Sequence, residues 1–241
     1  MKRLRLLLIR HGQVDFGSKD FRDTARGPQW DPPLDETGRE QARRLAVRLA
    51  SMDRPEGVFI SPLRRCAETA EPFLDRASLD ATVDEDLAEV HIGEWEGVRF
   101  EDLLLNDEVI RRRFHDQEAM FDLAPGGETG EELRARVVPA VERLIEPIER
   151  GNVVIITHGG VINAYLGHVM GLPQPMFFLP ENSSVNTVEV DGGARRVRFL
   201  SDTAHLSLPA IFEAPVGAEA HGPAGEILGN AEEGPVGAGP S

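Results

Sequence analysis

Cysteine is nearly absent: Cys66 stands alone in 241 residues. A single thiol excludes an intrachain disulfide and any cysteine-based zinc cluster. Basic charge is also short. The chain carries 26 Lys and Arg against 41 Asp and Glu, a net charge of −15, which argues against a nucleic-acid partner. No stretch reaches the roughly 18 uninterrupted apolar residues of a membrane span, so no membrane partner is expected. The apolar run that follows Met1-Lys2-Arg3 is too short for a signal peptide, and a cytoplasmic setting is the resulting expectation. Part of the negative charge is peripheral. Residues 213–241 hold five glutamates (Glu213, Glu219, Glu226, Glu232 and Glu233) and no Lys or Arg, leaving −10 for residues 1–212. That segment is rich in Gly, Pro, Ala and Glu, a composition that does not build a core. It is predicted to be a disordered acidic tail behind a single domain at 1–212. If the substrate is an anion, a protein this acidic must concentrate arginine locally.

Against these shortages stands one dense apolar stretch. Residues 4–12 read Leu-Arg-Leu-Leu-Leu-Ile-Arg-His-Gly. Such a run suits a strand in the middle of a covered parallel sheet. Ligands of open α/β sheets sit beyond the carboxyl ends of the strands, which would deliver Arg10 and His11 to a site. The pattern recurs where Val153-Val154-Ile155-Ile156 runs into Thr157-His158-Gly159-Gly160. Two buried strands, each ending in His-Gly, imply two imidazoles meeting at one sheet edge.

Between them the chain alternates strand and helix signals. Residues 13–33 are rich in Gly, Pro and charge, and read as a long loop with Trp30 at a site rim. A helix begins at Asp35, with Ala42, Leu45, Ala46 and Leu49 at helical spacing. Gly57-Val58-Phe59-Ile60 reads as a short buried strand. Ser61 and Pro62 then read as a cap and first turn of a helix through about Ala70. A further strand is expected around Ala81-Thr82-Val83, a loop over 89–97, and charged helix over 99–122. Leu133, Val137, Val141, Leu144 and Ile148 form a helical stripe, expected to break near Pro139 and Pro147. A helix through Met170 follows the second His-Gly strand. The alternating segments 185–190 and 195–200, joined by Asp191-Gly192-Gly193, predict a hairpin. The whole predicts a three-layer, doubly wound α/β fold whose mostly parallel sheet has an antiparallel edge.

An imidazole at a strand end can be a nucleophile, a base, a metal ligand or a simple cap. His11 is distinguished by its neighbours. Arg10 offers a bidentate fork for phosphoryl oxygens, and Gly12 allows a sharp turn with an exposed N–H. A metal site is the rival for His11 and His158. It requires carboxylates in ligand-like spacing near the strand ends, and the sequence has none there; no metal or other cofactor is expected.

Arg10-His11-Gly12 resembles the opening signature of the histidine phosphatase superfamily, the phosphoglycerate mutase-like fold. Further segments match in order: Pro33-Leu34 with Gly38 and Gln41-Ala42; Ser61 to Cys66 with Thr69-Ala70; Leu87-x-Glu89 with Gly93 and Trp95-Glu96-Gly97; Gly127-Glu128-Thr129; and Thr157 to Gly160. The resemblance covers about residues 4 to 205. It implies that His11 attacks phosphorus to form a phosphohistidine, that Arg10, Arg65 and His158 surround the phosphoryl oxygens, and that Glu89 is the general acid and then base. Gln13 and Gly159 are expected to add phosphate contacts. Arg65, four residues ahead of Thr69, is the implied second arginine rather than Arg64. Cys66 takes a small-residue position and is read as packing.

Two departures touch the substrate rim: Val14 and Gly17 replace polar residues usual in the family, and the loop to Pro33 looks longer. The implied function is hydrolysis of a small phosphomonoester. A cofactor-dependent phosphoglycerate mutase is the alternative, and a phospholigand-binding protein without turnover a third reading. A homodimer is left open, with Trp30, Trp95, Phe177 and Phe178 assignable to rim, core or interface. Deleting residues 213–241 is expected to leave phosphatase rate and melting temperature nearly unchanged, as measured by steady-state kinetics and thermal unfolding.

Overall fold

The computed structural model describes residues 3–98, 100–116, 121–174 and 176–207; the predicted tail at 213–241 lies outside them. In chain order the elements are β1 (Leu4–Arg10), β2 (Phe21–Thr24), β3 (Gly27–Trp30), α1 (Glu36–Ala50), β4 (Gly57–Ile60), α2 (Arg64–Ala77), β5 (Thr82–Val83), α3 (Phe100–Asn106), α4 (Glu108–His115), α5 (Gly130–Ile145), β6 (Gly151–Thr157), α6 (Gly159–Met170), β7 (Val185–Asp191), β8 (Ala194–Asp202) and α7 (Ala204–Ser207). Six strands form one sheet in the order β5-β4-β6-β1-β7-β8. The pairs β4–β5, β4–β6 and β1–β6 are parallel, while β7 and β8 add an antiparallel edge.

Alternation along β1 builds both cores at once. Leu4, Leu6 and Leu8 pack with Val137, Val141, Tyr165 and Leu166 of α5 and α6. Leu7 and Ile9 pack on the opposite face with Leu45, Leu49, Cys66 and Phe73 of α1 and α2. Successive strand side chains point to opposite faces, so a strand covered on both sides must be apolar throughout. Registration sets the functional edge: β1 pairs with β6 from Leu4↔Gly151 to Arg10↔Thr157.

Four local expectations change. Residues 21–30 form an antiparallel hairpin, Phe21↔Trp30 to Thr24↔Gly27, where the sequence suggested a structureless loop. Its first strand is largely exposed on both sides, so no alternation marks it. The helix expected at Pro62 starts at Arg64, and its N-cap, Leu63, has no side-chain cap. Ser61 accepts from the Leu63 N–H instead and also bonds His158. Proline 139 lies inside α5 without breaking it. It sits on the exposed face, where water can satisfy the carbonyl its ring leaves unpaired. The charged segment 99–122 is divided into α3, α4 and a 3₁₀ turn at Phe121–Leu123.

Two features hold the strand end in place. An added Cβ at Gly38 would come within 2.0 Å of the Gln13 carbonyl oxygen, so only glycine lets α1 start this close to the chain leaving β1. Behind the same strand, buried His205 of α7 accepts from Arg48 at Nδ1 and meets Ser183 Oγ at Nε2. Ser183 in turn donates its N–H to the carbonyls of Arg10 and His11. Burial, aided by Arg48, lowers the His205 pKa to about 4, and Asp202 pairs with the same arginine.

Gly38→Ala is expected to cost about 1–3 kcal/mol in thermal unfolding, the usual cost of overpacking. His205 also makes stability depend on pH. Between about pH 6.5, where an unfolded histidine titrates, and pH 4, the unfolded chain takes up a proton that folded His205 refuses. Stability therefore falls with acidification over this window. Melting temperatures measured from pH 7 to pH 4.5 should decline, and the decline should be shallower in His205→Asn.

Candidate active site

Because β1 and β6 stay paired to their last residues, the residues that follow, His11 and His158, leave the sheet side by side. The His11 N–H donates to the Thr157 carbonyl at 2.9 Å, and the two imidazole centroids lie 5.2 Å apart at 59°. His11 Nδ1 lies 2.8 Å from the Gly12 carbonyl oxygen. A carbonyl can only accept, so Nδ1 carries the proton and Nε2 presents a lone pair. Burial, then the Arg65 and Arg10 charges, hold the His11 pKa well below its ordinary value. Neutral imidazole is the form such a site keeps.

His158 is the N-cap of α6. Its Nε2 lies 2.6 Å from Ser61 Oγ, with Cys66 Sγ at 3.5 Å. Burial followed by Arg65 and His11 also lowers its pKa. Cys66 is fully buried, and burial pushes its thiol up to about 12, so it packs against the imidazole as an inert group.

Two arginines surround the pair. Arg10 Nη1 donates to the Pro180 carbonyl at 2.6 Å, while its buried Nε has no partner among the described residues. That Nε lies near Gly159, 3.9 Å from where a Cβ would stand. Gly159 opens α6, and the first N–H groups of a helix lack intrahelical acceptors. A buried unpaired guanidinium N–H beside a helix N-terminus suits an anion. The α2 register turns Arg65 inward and Arg64 outward, with side chains 8% and 52% exposed. Arg65 donates to the Trp30 carbonyl at 3.0 Å and lies 3.7 Å from Asp31. Thr69 links this helix to the strand end, since its hydroxyl accepts from the Gly12 N–H and donates to the Arg65 carbonyl.

Glu89 reaches the same edge from the loop after β5. Its Oε1 accepts from the Val90 and Gly160 N–H groups at 2.9 and 3.1 Å; Oε2 shares the Gly160 donor at 3.2 Å. Gly160 lets the carboxylate seat this close, because a Cβ there would stand 2.4 Å from Glu89 Oε1 and push it away. Thr157 ties the loop to β6 by donating to the Leu87 carbonyl.

The structure thus brings Arg10, His11, Arg65, Glu89, His158 and Gly159 to one edge. Gln13 is engaged elsewhere: its amide donates to Asp35 at 2.8 Å and its N–H to Gln41. Asn182 and Ser183 bond the main chain of Arg10 and His11 from behind. Among the described residues, no group of three or more His, Cys, Asp or Glu side chains is placed to hold a metal ion. The sequence reading missed Asp31, whose buried carboxyl is raised by burial and restrained by the Arg64 N–H and Arg65. It also gave Ser61 to a helix cap. Both depend on contacts between segments distant in sequence.

The sequence matches the description of the histidine phosphatase superfamily (branch 1) over residues 6–203. A glucosyl-3-phosphoglycerate phosphatase of Mycolicibacterium vanbaalenii is 31% identical over 72% of this chain and 77% of its own. A metal-independent phosphoserine phosphatase of Arabidopsis thaliana is 27% identical over 84% and 83%. The solved structure of a mycobacterial glucosyl-3-phosphoglycerate phosphatase superimposes with a TM-score of 0.68 at 29% identity, covering 84% of this chain and all of that one. Some relatives are longer; the chain spans 55% of a Mycobacterium tuberculosis protein named as bifunctional. The chain belongs to the histidine phosphatase superfamily, branch 1.

Proposed function

We propose that this phosphatase hydrolyses small phosphomonoesters through a phosphohistidine on His11, with Glu89 as acid and base and without a metal ion. The observation that carries the reading is the paired strand end: an imidazole whose Nδ1 is bonded to the Gly12 carbonyl, leaving the Nε2 lone pair for attack, beside a buried arginine N–H that has no partner among the described residues. The lone pair attacks phosphorus and the ester P–O bond breaks. The leaving oxygen takes a proton from Glu89. Oε2 suits this transfer, since Oε1 is held by two backbone N–H groups. Water then attacks the phosphohistidine and gives a proton to Glu89, releasing inorganic phosphate and restoring His11. Arg10, Arg65 and the α6 N-terminus supply fixed positive potential where charge is carried by the phosphoryl oxygens, the role a divalent cation takes in other phosphoryl-transfer enzymes.

Relatives named as phosphatases favour hydrolysis over the mutase reading. A cytoplasmic setting, with no nucleic-acid or membrane partner, belongs to the same proposal. It rests on the net charge of −15 and the single, buried, unpaired thiol.

The test is inorganic phosphate release from a panel of phosphomonoesters in excess chelator, with 2-phosphoglycerate formation from 3-phosphoglycerate followed alongside. Wild type should retain its rate in chelator, and His11→Ala should lose at least about 10³-fold, as expected when a covalent nucleophile is removed. A near wild-type rate in the mutant would sink the nucleophile assignment, loss of rate in chelator would restore a metal, and isomer exchange without phosphate release would make the protein a mutase.

A further inference from the structure

Arg136 of α5 takes no part in the chemistry above, yet its side chain is only 11% exposed. A guanidinium has five N–H groups, and here each has one acceptor. Nε donates to Glu128 Oε1 at 2.6 Å, and Nη2 to Glu128 Oε2 at 2.8 Å and the Glu89 carbonyl at 3.1 Å. Nη1 donates to the carbonyls of Asp86 and Ala88 at 2.7 and 3.0 Å. No donor is left for a substrate.

The acceptors explain what the residue does. The Ala88 carbonyl belongs to the peptide plane before the Glu89 Cα, and the Glu89 carbonyl to the plane after it. Fixing both planes fixes the direction of the Cα–Cβ bond between them. The Glu89 carbonyl is held a second time, by Gln29 of β3 at 3.0 Å. Glu128 completes the clamp by accepting from the His91 N–H on the far side of the acid loop. A buried ion pair is a weak source of net stability, whereas a planar fork that grips several carbonyls is a strong geometric device.

We propose that Arg136 is a positioning residue that aims the Glu89 carboxylate at the leaving-group oxygen. The inference rests on the reading of Glu89 as general acid. A misplacement of about 1 Å in such a group can cost on the order of a hundredfold, and the loss should appear only where the leaving group needs a proton.

Leaving-group chemistry separates this role from a purely structural one. The rate of enzyme phosphorylation is measured in single turnover, enzyme in excess, with glycerol 3-phosphate and with 4-nitrophenyl phosphate. The alkoxide of the first must be protonated as it departs; the nitrophenolate of the second leaves unaided. Arg136→Lys keeps the charge and loses the fork. It should slow glycerol 3-phosphate by about tenfold or more and 4-nitrophenyl phosphate by less than about threefold, within the range a general acid supplies. Equal losses on both substrates would overturn the proposal. Where Arg136→Lys does not fold, Glu128→Gln decides: the same split at smaller size is expected, and its absence counts equally against it. Glu89→Gln is the reference. No split in that variant would remove the acid assignment and the inference together. A split there and none in the other variants would remove the inference alone.

Discussion

The parallel pairing of β1 with β6, unbroken to Arg10↔Thr157, is the constraint on which the site depends. Two strands that end at the same level must release their next residues together, so neighbouring imidazoles follow from register rather than from long-range adjustment. A slip of one residue would turn every side chain of β1 to the opposite face. It would expose Leu4, Leu6 and Leu8 to the wrong helical layer and carry His11 away from His158. The cost of mispacking two cores at once therefore guards the geometry of the site. Beyond the strand ends, tight backbone contacts continue the same restraint: Gly38 lies against Gln13, and Gly160 lies against the Glu89 carboxylate.

Electrostatics at the edge follows from burial. Both imidazoles are taken out of water and placed among guanidinium groups, so each is disfavoured as a cation. The positive field is left to the arginines. Under the proposed mechanism this division leaves the His11 lone pair for attack and the stabilisation of charge to the guanidinium groups. An overall charge of −15 is no obstacle, since the field that matters is the local one.

Much of this was legible from the chain because its signals are local. Apolar runs closed by His-Gly marked β1 and β6, and Asp191-Gly192-Gly193 marked the β7–β8 turn. The fold class, with its antiparallel edge, was therefore readable. The hairpin at 21–30 was not, since β2 is largely exposed and the one buried position of β3 is the polar Gln29, so no apolar alternation marks either strand. Pro139 looked like a helix breaker because propensity ignores the packing of Val137, Ala140 and Val141 around it. At the site, the family signature brought His11, Arg65, Glu89 and His158 forward. It gave no role to Asp31, to Ser61 as the partner of His158, or to Arg136 as the holder of the acid loop, and those contacts span 34, 97 and 47–50 residues. Gln13, expected from its place two residues after the histidine to contact phosphate, has an amide N–H donated to Asp35, a contact that its sequence position does not reveal.

The hairpin at 21–30 joins both halves of the site. The Trp30 carbonyl receives Arg65, the Trp30 N–H goes to Glu96, and Gln29 holds the Glu89 carbonyl. Two of these three contacts use main-chain atoms of Trp30, which any residue at that position supplies. Phe21, Arg22 and Asp23 on the facing strand are exposed, as is Phe16, whose ring stacks on Trp30. None of these outer side chains makes the contacts to Arg65, Glu96 or Glu89, which rest on Trp30 and Gln29. Exchanging those outer side chains would therefore change the face the hairpin shows to solvent and leave the contacts to Arg65, Glu89 and Glu96 in place.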